Sequence, residues 1–381
     1  MRLRAPSLSR KISDKILQGA VAALGGCARV ERNGWTMKNF CVQICLGLLL
    51  AANAAHAQSA PRSPSGAAVT VTADNFDRAQ TDTYFAKFVK DGALGKFVHE
   101  GELPLENAGP RPSRDTLASM AVFDLDAGPV RIILPNPGKR FMAMTEINED
   151  HYIYAVDYGA GHYTFSKQEI GTRYVLIAIR TFVDAANPDD VRIARGLLNT
   201  IKVQQRGPGR FEIPNWDLDS QKKVRDALLV LNTTLPDLRR AYGTRTQVDR
   251  VRHMIGTAIA WGGNPDKDVI EVPVRPSNND GTAIYKLAVP AKVPVNAFWS
   301  VTVYDANGDL KKNRYDAYSV NSVTAKKNAD ASVGIQFGGC DGKVPNCLPI
   351  MQGWTYVVRL YRPRDDVLNG KWKFPEPQPA N

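Results

Sequence analysis

The sequence predicts an α+β protein that is predominantly β, with a block of helices between or packed on its sheets. Short segments rich in Val, Ile, Tyr and Phe, bounded by Gly, Pro, Asn and Asp, recur before and after the middle of the chain, as strands do. Between them lie three segments whose apolar residues follow helical spacing. The chain has 381 residues, which is longer than chains that usually form one compact core. This length favours two domains, or one domain and a leader.

Composition and charge exclude several classes of protein. With 44% hydrophobic and 23% charged residues, the chain is not disordered, collagen-like or a multi-span membrane protein. The formal net charge is +11, but eight basic and two acidic residues before residue 58 contribute +6 of it. The remaining +5 is weak support for nucleic acid binding, so we predict no nucleic acid partner.

The first part of the chain is typical of an export leader. Lys38 precedes an apolar stretch from Phe40 to Ala52, and Ala55-His56-Ala57 follows as a small-x-small cleavage site. As a helix, this stretch spans roughly 20 Å, which is too short for a membrane core of about 30 Å. We therefore predict a signal peptide at 37–57, cleaved near Ala57, and a periplasmic or secreted product without a stable membrane span. An uncleaved anchor is the alternative.

Two cysteines, Cys340 and Cys347, lie beyond the predicted leader. In an oxidising compartment, two cysteines with a short Gly- and Asn-containing segment between them favour a disulfide on one loop. Two free thiols are the alternative. A zinc site would need further ligands, and no nearby histidine offers one, so we predict no metal and no cofactor.

The mature chain begins with residues 58–73, whose Ser, Pro, Ala and Gly indicate a flexible tether. A helix is predicted over Phe76 to Val89, with Asp74 or Asn75 as its cap. The period then changes to that of a sheet. The predicted strands are 120–125, 129–134, 141–147, 151–158 and 174–182.

Three helices follow in the prediction. Asn187 as N-cap and Pro188 at the first helical position begin the first of them. The second runs from about Ser220 to Asn232, and the third has Thr246 as its cap and ends before Gly262. We expect these helices to cover one face or edge of the first sheet.

Strand signals return from Val269 onward. The segment 297–305 leads into Asn307-Gly308, which is the best hairpin signal in the chain, and 354–361 is another strand. We therefore predict an N-terminal β-rich domain with helices at 74–265 and a C-terminal β domain at 266–381. Residues 1–36 are interpreted as a mis-called start or an extension.

Several motifs in this chain resemble two known families. The segments 113–117, 122–129, 148–152 and 171–174 resemble domain of unknown function 1254, while 260–265, 297–305 and 359–363 resemble domain of unknown function 1214. The resemblance covers nearly the whole mature chain and implies two β-sandwich or jelly-roll-like domains in an exported bacterial protein. It implies no settled activity.

One departure from the first family bears on chemistry. Ser113 and Ala118 stand where that family usually has Asn and Tyr. If the tyrosine performs chemistry in relatives, this protein cannot perform the same reaction in the same way.

The densest polar cluster lies in the turn between two predicted strands and consists of Glu146, Asn148, Glu149, Asp150 and His151. A histidine beside carboxylates can act as a general base, so His151 is a candidate catalytic residue.

The neighbours of His151 share this hypothesis. Tyr152 is a further candidate catalytic residue, and Glu146, Asn148 and Asp150 are candidate ligand-binding residues. The plainer interpretation is a hydrogen-bonded turn without chemistry, because Asn and Asp favour turns for local reasons.

Arginines provide a second group of candidates. Arg114 beside Asp115 can bind a carboxylate in bidentate fashion, or form a structural ion pair, and both residues are candidate catalytic residues. Tyr304 and Arg359 lie in the motifs that resemble the second family and are candidate ligand-binding residues, and a purely structural role is the alternative for Arg359.

These features favour an exported protein that binds a polar or anionic ligand, small or oligomeric and including saccharides, in a cleft. One alternative is a lyase or hydrolase acting on an anionic saccharide, and another is an envelope interaction or assembly module. A homo-oligomer is compatible with each of them. The chain lacks G-x-S-x-G, a phosphate loop and H-E-x-x-H, which disfavours serine hydrolysis and nucleotide hydrolysis. The sequence does not decide whether the protein is an enzyme.

Overall fold

The computed structural model describes residues 66–100, 103, 105 and 111–380. All of these residues belong to one compact unit. The predicted signal peptide, its cleavage site and the first half of the predicted tether lie outside the described residues. Within the described ranges, no helix combines the length and the apolar character needed to cross a membrane.

Eight strands of the N-terminal half form two sheets. Their bounds are β1 Val98–His99, β2 Thr116–Asp124, β3 Val130–Leu134, β4 Met142–Asn148, β5 Ile153–Tyr158, β6 Gly161–Phe165, β7 Tyr174–Phe182 and β8 Lys202–Gln204. The first sheet has the order β1-β2-β7-β4-β5, and the second has the order β6-β3-β8. All neighbouring strands are antiparallel.

The three-stranded sheet packs on one face of the five-stranded sheet. Ile132 of β3 and Ile177 of β7 belong to the same buried apolar core. Strands β2, β4 and β7 are buried on both faces, because helices cover the other side. This double burial explains why their sequences are apolar at nearly every position.

Six helices lie within the described ranges, and three of them form a layer on the opposite face of the five-stranded sheet. Their bounds are α1 Phe76–Lys90, α2 Lys167–Ile170, α3 Pro188–Leu198, α4 Leu218–Asn232, α5 Arg250–Ile259 and α6 Asp365–Leu368. Phe85 of α1 packs with Val122 and Leu176 of the sheet. Leu228 of α4 and Ile255 of α5 pack with α1 in an adjoining core. The expectation that the three predicted helices cover one face is only partly confirmed, because Ala194 and Leu198 of α3 pack in the core shared with the three-stranded sheet.

The N-cap of α3 is the one predicted, and that of α5 is not. The Asn187 side chain accepts hydrogen bonds from the backbone N–H groups of Asp189 and Asp190, at 3.1 and 3.3 Å. Helix α5 is capped by Asp249, which accepts from two N–H groups of the first turn, and the prediction of Thr246 is wrong. Residues 244–247 instead form a turn closed by the side chain of Gln247, so the helix begins later.

Two further sheets form the C-terminal half. The strands are β9 Val269–Val274, β10 Tyr285–Val289, β11 Trp299–Tyr304, β12 Ser319–Asn321, β13 Val333–Phe337, β14 Cys347–Leu348, β15 Thr355–Tyr361 and β16 Gln378–Pro379. Their orders are β12-β11-β15-β9 and β14-β13-β10-β16. Leu287 and Ile335 of one sheet share a buried core with Val301 and Val358 of the other. The predominantly β class is therefore confirmed.

The predicted tight hairpin after β11 is only partly correct. A turn closes at Gly308, whose φ is 89° and whose N–H donates to the Asp305 carbonyl at 3.1 Å. The strand that pairs with β11 from this side is β12, which starts only at Ser319. The chain first makes another turn, in which the Asn313 side chain accepts from two backbone N–H groups.

The predicted disulfide is present. Cys340 and Cys347 are bonded and close a loop between β13 and β14. The two strands pair in parallel at Gln336 and Cys347, so one end of the closed loop belongs to the sheet.

Replacing the capping residue of α3 tests the local account of this helix. Asn187→Ala removes the acceptor for two N–H groups, so we expect the free energy of unfolding to fall by about 1 kcal/mol. Urea denaturation measures this loss. The control is Asn199→Ala at the other end of α3, where the side chain makes no hydrogen bond within the described ranges. Equal losses in both variants would contradict the assignment.

Candidate functional site

One row of polar residues crosses the sheet β12-β11-β15-β9. The register places Asn321 opposite Ser300, Ser300 opposite Arg359, and Arg359 opposite Glu271. Neighbours along the strands, such as Val301 and Val358, point into the C-terminal core. Because side chains alternate between the faces of a sheet, the polar row projects from the other face.

Arg359 is the centre of this row and is only 4% exposed. Its Nε donates to Glu271 Oε1 at 2.9 Å, and one Nη donates to the Tyr304 hydroxyl at 2.9 Å. The other Nη donates to the carbonyl oxygen of Arg111 at 2.8 Å. A buried guanidinium is tolerated only when it is paired and hydrogen-bonded in this way.

The segment before β2 lies over the polar row. The Tyr304 hydroxyl donates to the carbonyl of Pro112 at 2.8 Å. Asp115 accepts hydrogen bonds from Ser113 Oγ at 3.1 Å and from Asn321 Nδ2 at 3.4 Å. Burial raises the pKa of Asp115, and the Ser300 hydroxyl and the charge of Arg359 oppose that rise. Buried polar contacts thus fix this segment to the C-terminal sheet.

An aromatic layer continues the same junction. Phe182 from the five-stranded sheet packs with Phe298 and Tyr361, and Phe141 joins them. The rings of Phe298 and Tyr361 stack with centroids 4.0 Å apart, and those of Phe182 and Phe298 lie 5.1 Å apart. The junction between the two halves therefore combines apolar and polar contacts.

The structure brings three candidates of the arginine group together and separates the fourth. Asp115, Tyr304 and Arg359 meet at the polar row and the segment that lies over it. Arg114 instead donates to the carbonyl of Leu103 at 2.8 Å, and its guanidinium lies 4.9 Å from the ring centre of Tyr318. No hydrogen bond joins Arg114 to Asp115 in the part of the chain that is described. These contacts fit the structural interpretation that the sequence left open.

His151 is fully buried and has both ring nitrogens engaged. Its Nε2 accepts the N–H of Gly262 at 2.8 Å, and its Nδ1 lies 2.7 Å from Thr257 Oγ1. Burial lowers its pKa well below the usual range, and the charge of His253 acts in the same direction. A general base needs a nitrogen that can reach the substrate. This geometry fits the hydrogen-bonded turn, which is the plainer interpretation of the sequence.

Other candidates in the turn also serve as connections. Asn148 Oδ1 accepts the N–H groups of Asp150 and Tyr152, both at 3.0 Å, which is a common arrangement of asparagine in turns. Asp150 accepts from Arg78 of α1 at 2.8 Å, and the Tyr152 hydroxyl accepts from Arg250 of α5 at 3.0 Å. The turn is thereby tied to two helices.

Glu146 differs from the rest of its group because it is buried inside the N-terminal half. Neither carboxyl oxygen has a hydrogen-bond partner within the described ranges. Burial raises the pKa of Glu146 to about 9, and the nearby negative charge of Asp157 contributes. Glu146 therefore carries a proton at neutral pH.

An open cavity of about 330 Å³ lies beside the disulfide, where sequence reasoning placed no ligand-binding residue. Its lining residues are Tyr315, Ala317, Ser319, Val320, Thr324, Ala325, Cys340, Gly342, Val344, Asn346, Cys347 and Leu348. The only sequence signal for this cavity is the cysteine pair that closes one wall.

Hydrogen bonds hold the walls of this cavity in place. The Asn346 side chain accepts the N–H of Lys326 at 2.9 Å and donates to the carbonyls of Lys326 and Gly334 at 2.8 and 3.0 Å. The Tyr315 hydroxyl donates to the carbonyl of Cys340 at 2.5 Å. These contacts connect the loops that line the cavity to strand β13 and to each other.

Charged residues flank the lining residues. The guanidinium of Arg314 lies 4.7 Å from the ring centre of Tyr315. Lys343 stands between the lining residues Gly342 and Val344, and Lys326 is hydrogen-bonded to Asn346 through its backbone. Asp316 and Asp341 lie in the same segments, so these five residues sum to a charge of +1.

Family models match two segments of the chain. The model for a protein of unknown function (DUF1254) matches residues 94–162, and the model for a protein of unknown function (DUF1214) matches residues 275–365. This order agrees with the resemblance found in the sequence. The first segment contains Asp115 and the turn at His151, and the second contains Tyr304, Arg359 and the cavity.

One solved structure shows similarity of fold. The VPA0106 protein from Vibrio parahaemolyticus superposes with a TM-score of 0.64 at 18% sequence identity, over 81% of this chain and 98% of that one. A putative uncharacterized protein from Burkholderia cenocepacia gives a TM-score of 0.46 at 13% identity, over 81% and 88% of the two chains. No curated protein matches this chain.

Removing one hydroxyl group tests the polar junction. Tyr304→Phe leaves the Pro112 carbonyl and one N–H of Arg359 without a partner, so we expect a loss of about 1–3 kcal/mol in the free energy of unfolding. Urea denaturation measures it, with Tyr154→Phe on an exposed strand position as the control. A loss no larger than that of the control would show that the hydroxyl does not hold the junction.

The buried carboxyl of Glu146 predicts a pH dependence of stability. Its pKa in the folded state, about 9, exceeds that in the unfolded chain, so the folded state binds an extra proton between the two values. Stability should fall as the pH rises from about 5 to 9, on the order of a few kcal/mol.

Glu146→Gln should make that decline smaller, because the amide does not titrate, while Asp82, whose pKa burial raises to about 7, still does. Exposed Glu376→Gln is the matched control and should keep the decline. The measurement is the free energy of unfolding across this pH range. Parallel curves for Glu146→Gln and the unsubstituted protein would refute the assignment.

Proposed function

We propose that this chain, which carries a DUF1254 segment followed by a DUF1214 segment, is an exported protein that binds a small anionic molecule beside the Cys340–Cys347 disulfide. The observation that supports this function is the cavity of about 330 Å³, with its walls held by hydrogen bonds. Preformed concave sites of this kind are the usual places for small ligands.

The chemistry of the lining favours a particular class of ligand. Ala317, Val320 and Leu348 provide apolar surface, while Ser319 and Thr324 provide hydroxyl groups. This mixture suits a ligand with a ring or short apolar body and one or two polar substituents. The volume is near the lower end for small-molecule sites, which favours a monomer over an oligomer.

The charge around the cavity favours an acid. Arg314 and Lys343 flank the lining residues, and both side chains can pair with a carboxylate. Asp341 accepts hydrogen bonds from the backbone N–H groups of Lys343 and Val344, so its carboxylate is occupied within the loop. We therefore propose sugar acids or aromatic acids as ligands.

The disulfide is consistent with export. A disulfide on a surface loop persists in the periplasm or outside the cell, where thiols are oxidised. The leader predicted at 37–57 supports the same location. A periplasmic or secreted location remains part of the proposal.

The enzymatic alternative loses its main candidates in this geometry. A lyase or hydrolase using His151, a tyrosine and an arginine needs an accessible histidine nitrogen, and both nitrogens of His151 are engaged. No observation favours that reaction, so we propose binding without catalysis. An assembly role without a small ligand is an outcome of the test below.

Ligand binding is tested by thermal unfolding with glucuronate, benzoate and neutral glucose. A ligand that binds only the folded state raises the melting temperature, so we expect an increase with at least one acid and none with glucose. The double variant Arg314→Gln/Lys343→Gln should weaken the binding of that acid about tenfold, because it loses charge-assisted contacts.

The matched control replaces two cations far from the cavity in sequence, Lys222→Gln and Lys223→Gln on α4. It should bind the acid as the unsubstituted protein does. If both double variants bind the acid equally weakly, the effect comes from the lower net charge of the protein and not from contacts at the cavity. No response to any acid would contradict the proposal and favour the assembly role.

A further inference from the structure

Two buried histidines stack on each other between the turn after β4 and helix α5. The rings of His151 and His253 have centroids 5.5 Å apart and an interplanar angle of 28°. Both residues are fully buried. Their hydrogen-bond partners differ, and these partners decide how many protons each ring holds.

His151 is neutral. Its Nε2 accepts the N–H of Gly262, so this nitrogen carries no proton. Its proton is therefore on Nδ1 and points at Thr257 Oγ1, 2.7 Å away. The Thr257 hydroxyl in turn donates to the carbonyl of His253 at 2.9 Å, which leaves its oxygen free to accept.

His253 faces two carbonyl oxygens. Its Nδ1 lies 2.9 Å from the carbonyl of Ala241, and its Nε2 lies 3.1 Å from the carbonyl of Asp150. A carbonyl oxygen only accepts, so each contact needs an N–H on the ring. A neutral imidazole has one N–H, and only the imidazolium has two.

The surroundings of His253 suit a positive charge. The ring of Tyr152 lies parallel to it, with centroids 4.6 Å apart, and offers the electron-rich face of an aromatic ring. Asp77 of α1 provides a buried carboxylate and also pairs with Arg250 at 3.1 Å. Burial raises the pKa of Asp77, and the positive charges of His253 and Arg250 oppose that rise.

Three packed elements contribute the charged and titratable groups around this ring. Helix α1 contributes Asp77 and Arg78, the turn contributes Asp150 with His151 and Tyr152, and α5 itself contributes Arg250. Arg78 pairs with Asp150 at 2.7 Å, and Arg250 pairs with Asp77 at 3.1 Å. Each carboxylate therefore has an arginine of its own, and the two carbonyl contacts and the Tyr152 ring are what favour the charged form of His253.

We propose that His253 is a buried imidazolium that clamps helix α5 to the turn at Asp150 and to the chain at Ala241, and that it opens one of these contacts when it loses its proton. The bond lost is one N–H to carbonyl hydrogen bond, and the proton goes to solvent. The device is therefore a pH-sensitive joint in the N-terminal half. It does not depend on the ligand cavity, which lies in the C-terminal half.

The direct test is NMR of the full-length protein labelled with ¹⁵N in its histidine rings. At about pH 6–7 we expect two protonated nitrogens in His253 and one in His151. The variant His162→Gln, at an exposed position, identifies the signals of a solvated histidine. A bare nitrogen in His253 at this pH would overturn the proposal.

The second test follows the folding equilibrium constant of His253→Gln between about pH 6 and pH 9. The stabilisation by the second N–H is complete at low pH and is lost as the ring deprotonates. We expect the ratio of the constants of unsubstituted protein and variant to fall on the order of tenfold over this range. The same ratio is measured for the control variant His162→Gln. If the ratio for His253→Gln does not change with pH and equals that of the control, the clamp is refuted. If His253→Gln does not fold, the NMR of the unsubstituted protein decides the question.

Discussion

The buried guanidinium of Arg359 sets the constraint on which the arrangement of the two halves depends. A charge removed from water requires partners on every side, and Arg359 takes them from three parts of the chain. Glu271 comes from β9, Tyr304 from β11, and the carbonyl of Arg111 from the segment that leads into the first sheet. Moving any one of these elements leaves a buried N–H of the guanidinium without an acceptor, so the position of each constrains the others.

Several residues of the motifs that resemble the two families form hydrogen bonds at this junction. Asp115 follows the segment that Arg359 and Tyr304 hold, and Asn321 reaches it from the same polar row. The aromatic layer around Phe298 buries apolar surface at the same junction. The polar groups of these segments thus join the two halves, and the open cavity lies elsewhere, beside the disulfide.

Local signals were sufficient for much of the fold. The cap at Asn187 and the change of period at 174–182 identified a helix and a strand, because both depend on neighbours in sequence. The position of the cap of α5 was missed, since Gln247 closes a turn that delays the helix. The role of His151 could not be read locally, because Thr257 and Gly262 are more than one hundred residues away. The cavity could not be predicted from the sequence either, because its lining residues come from several separate segments and have no distinctive pattern.

Native-state hydrogen exchange tests most directly whether Arg359 makes one cooperative unit of the two halves. Amides of β7 in the first sheet and of β15 in the C-terminal sheet are the groups to compare. If Arg359 couples the two halves, the slowest amides of both strands exchange with the same free energy of opening. Two clearly different free energies, one for each strand, would show that the halves unfold separately and would contradict this coupling.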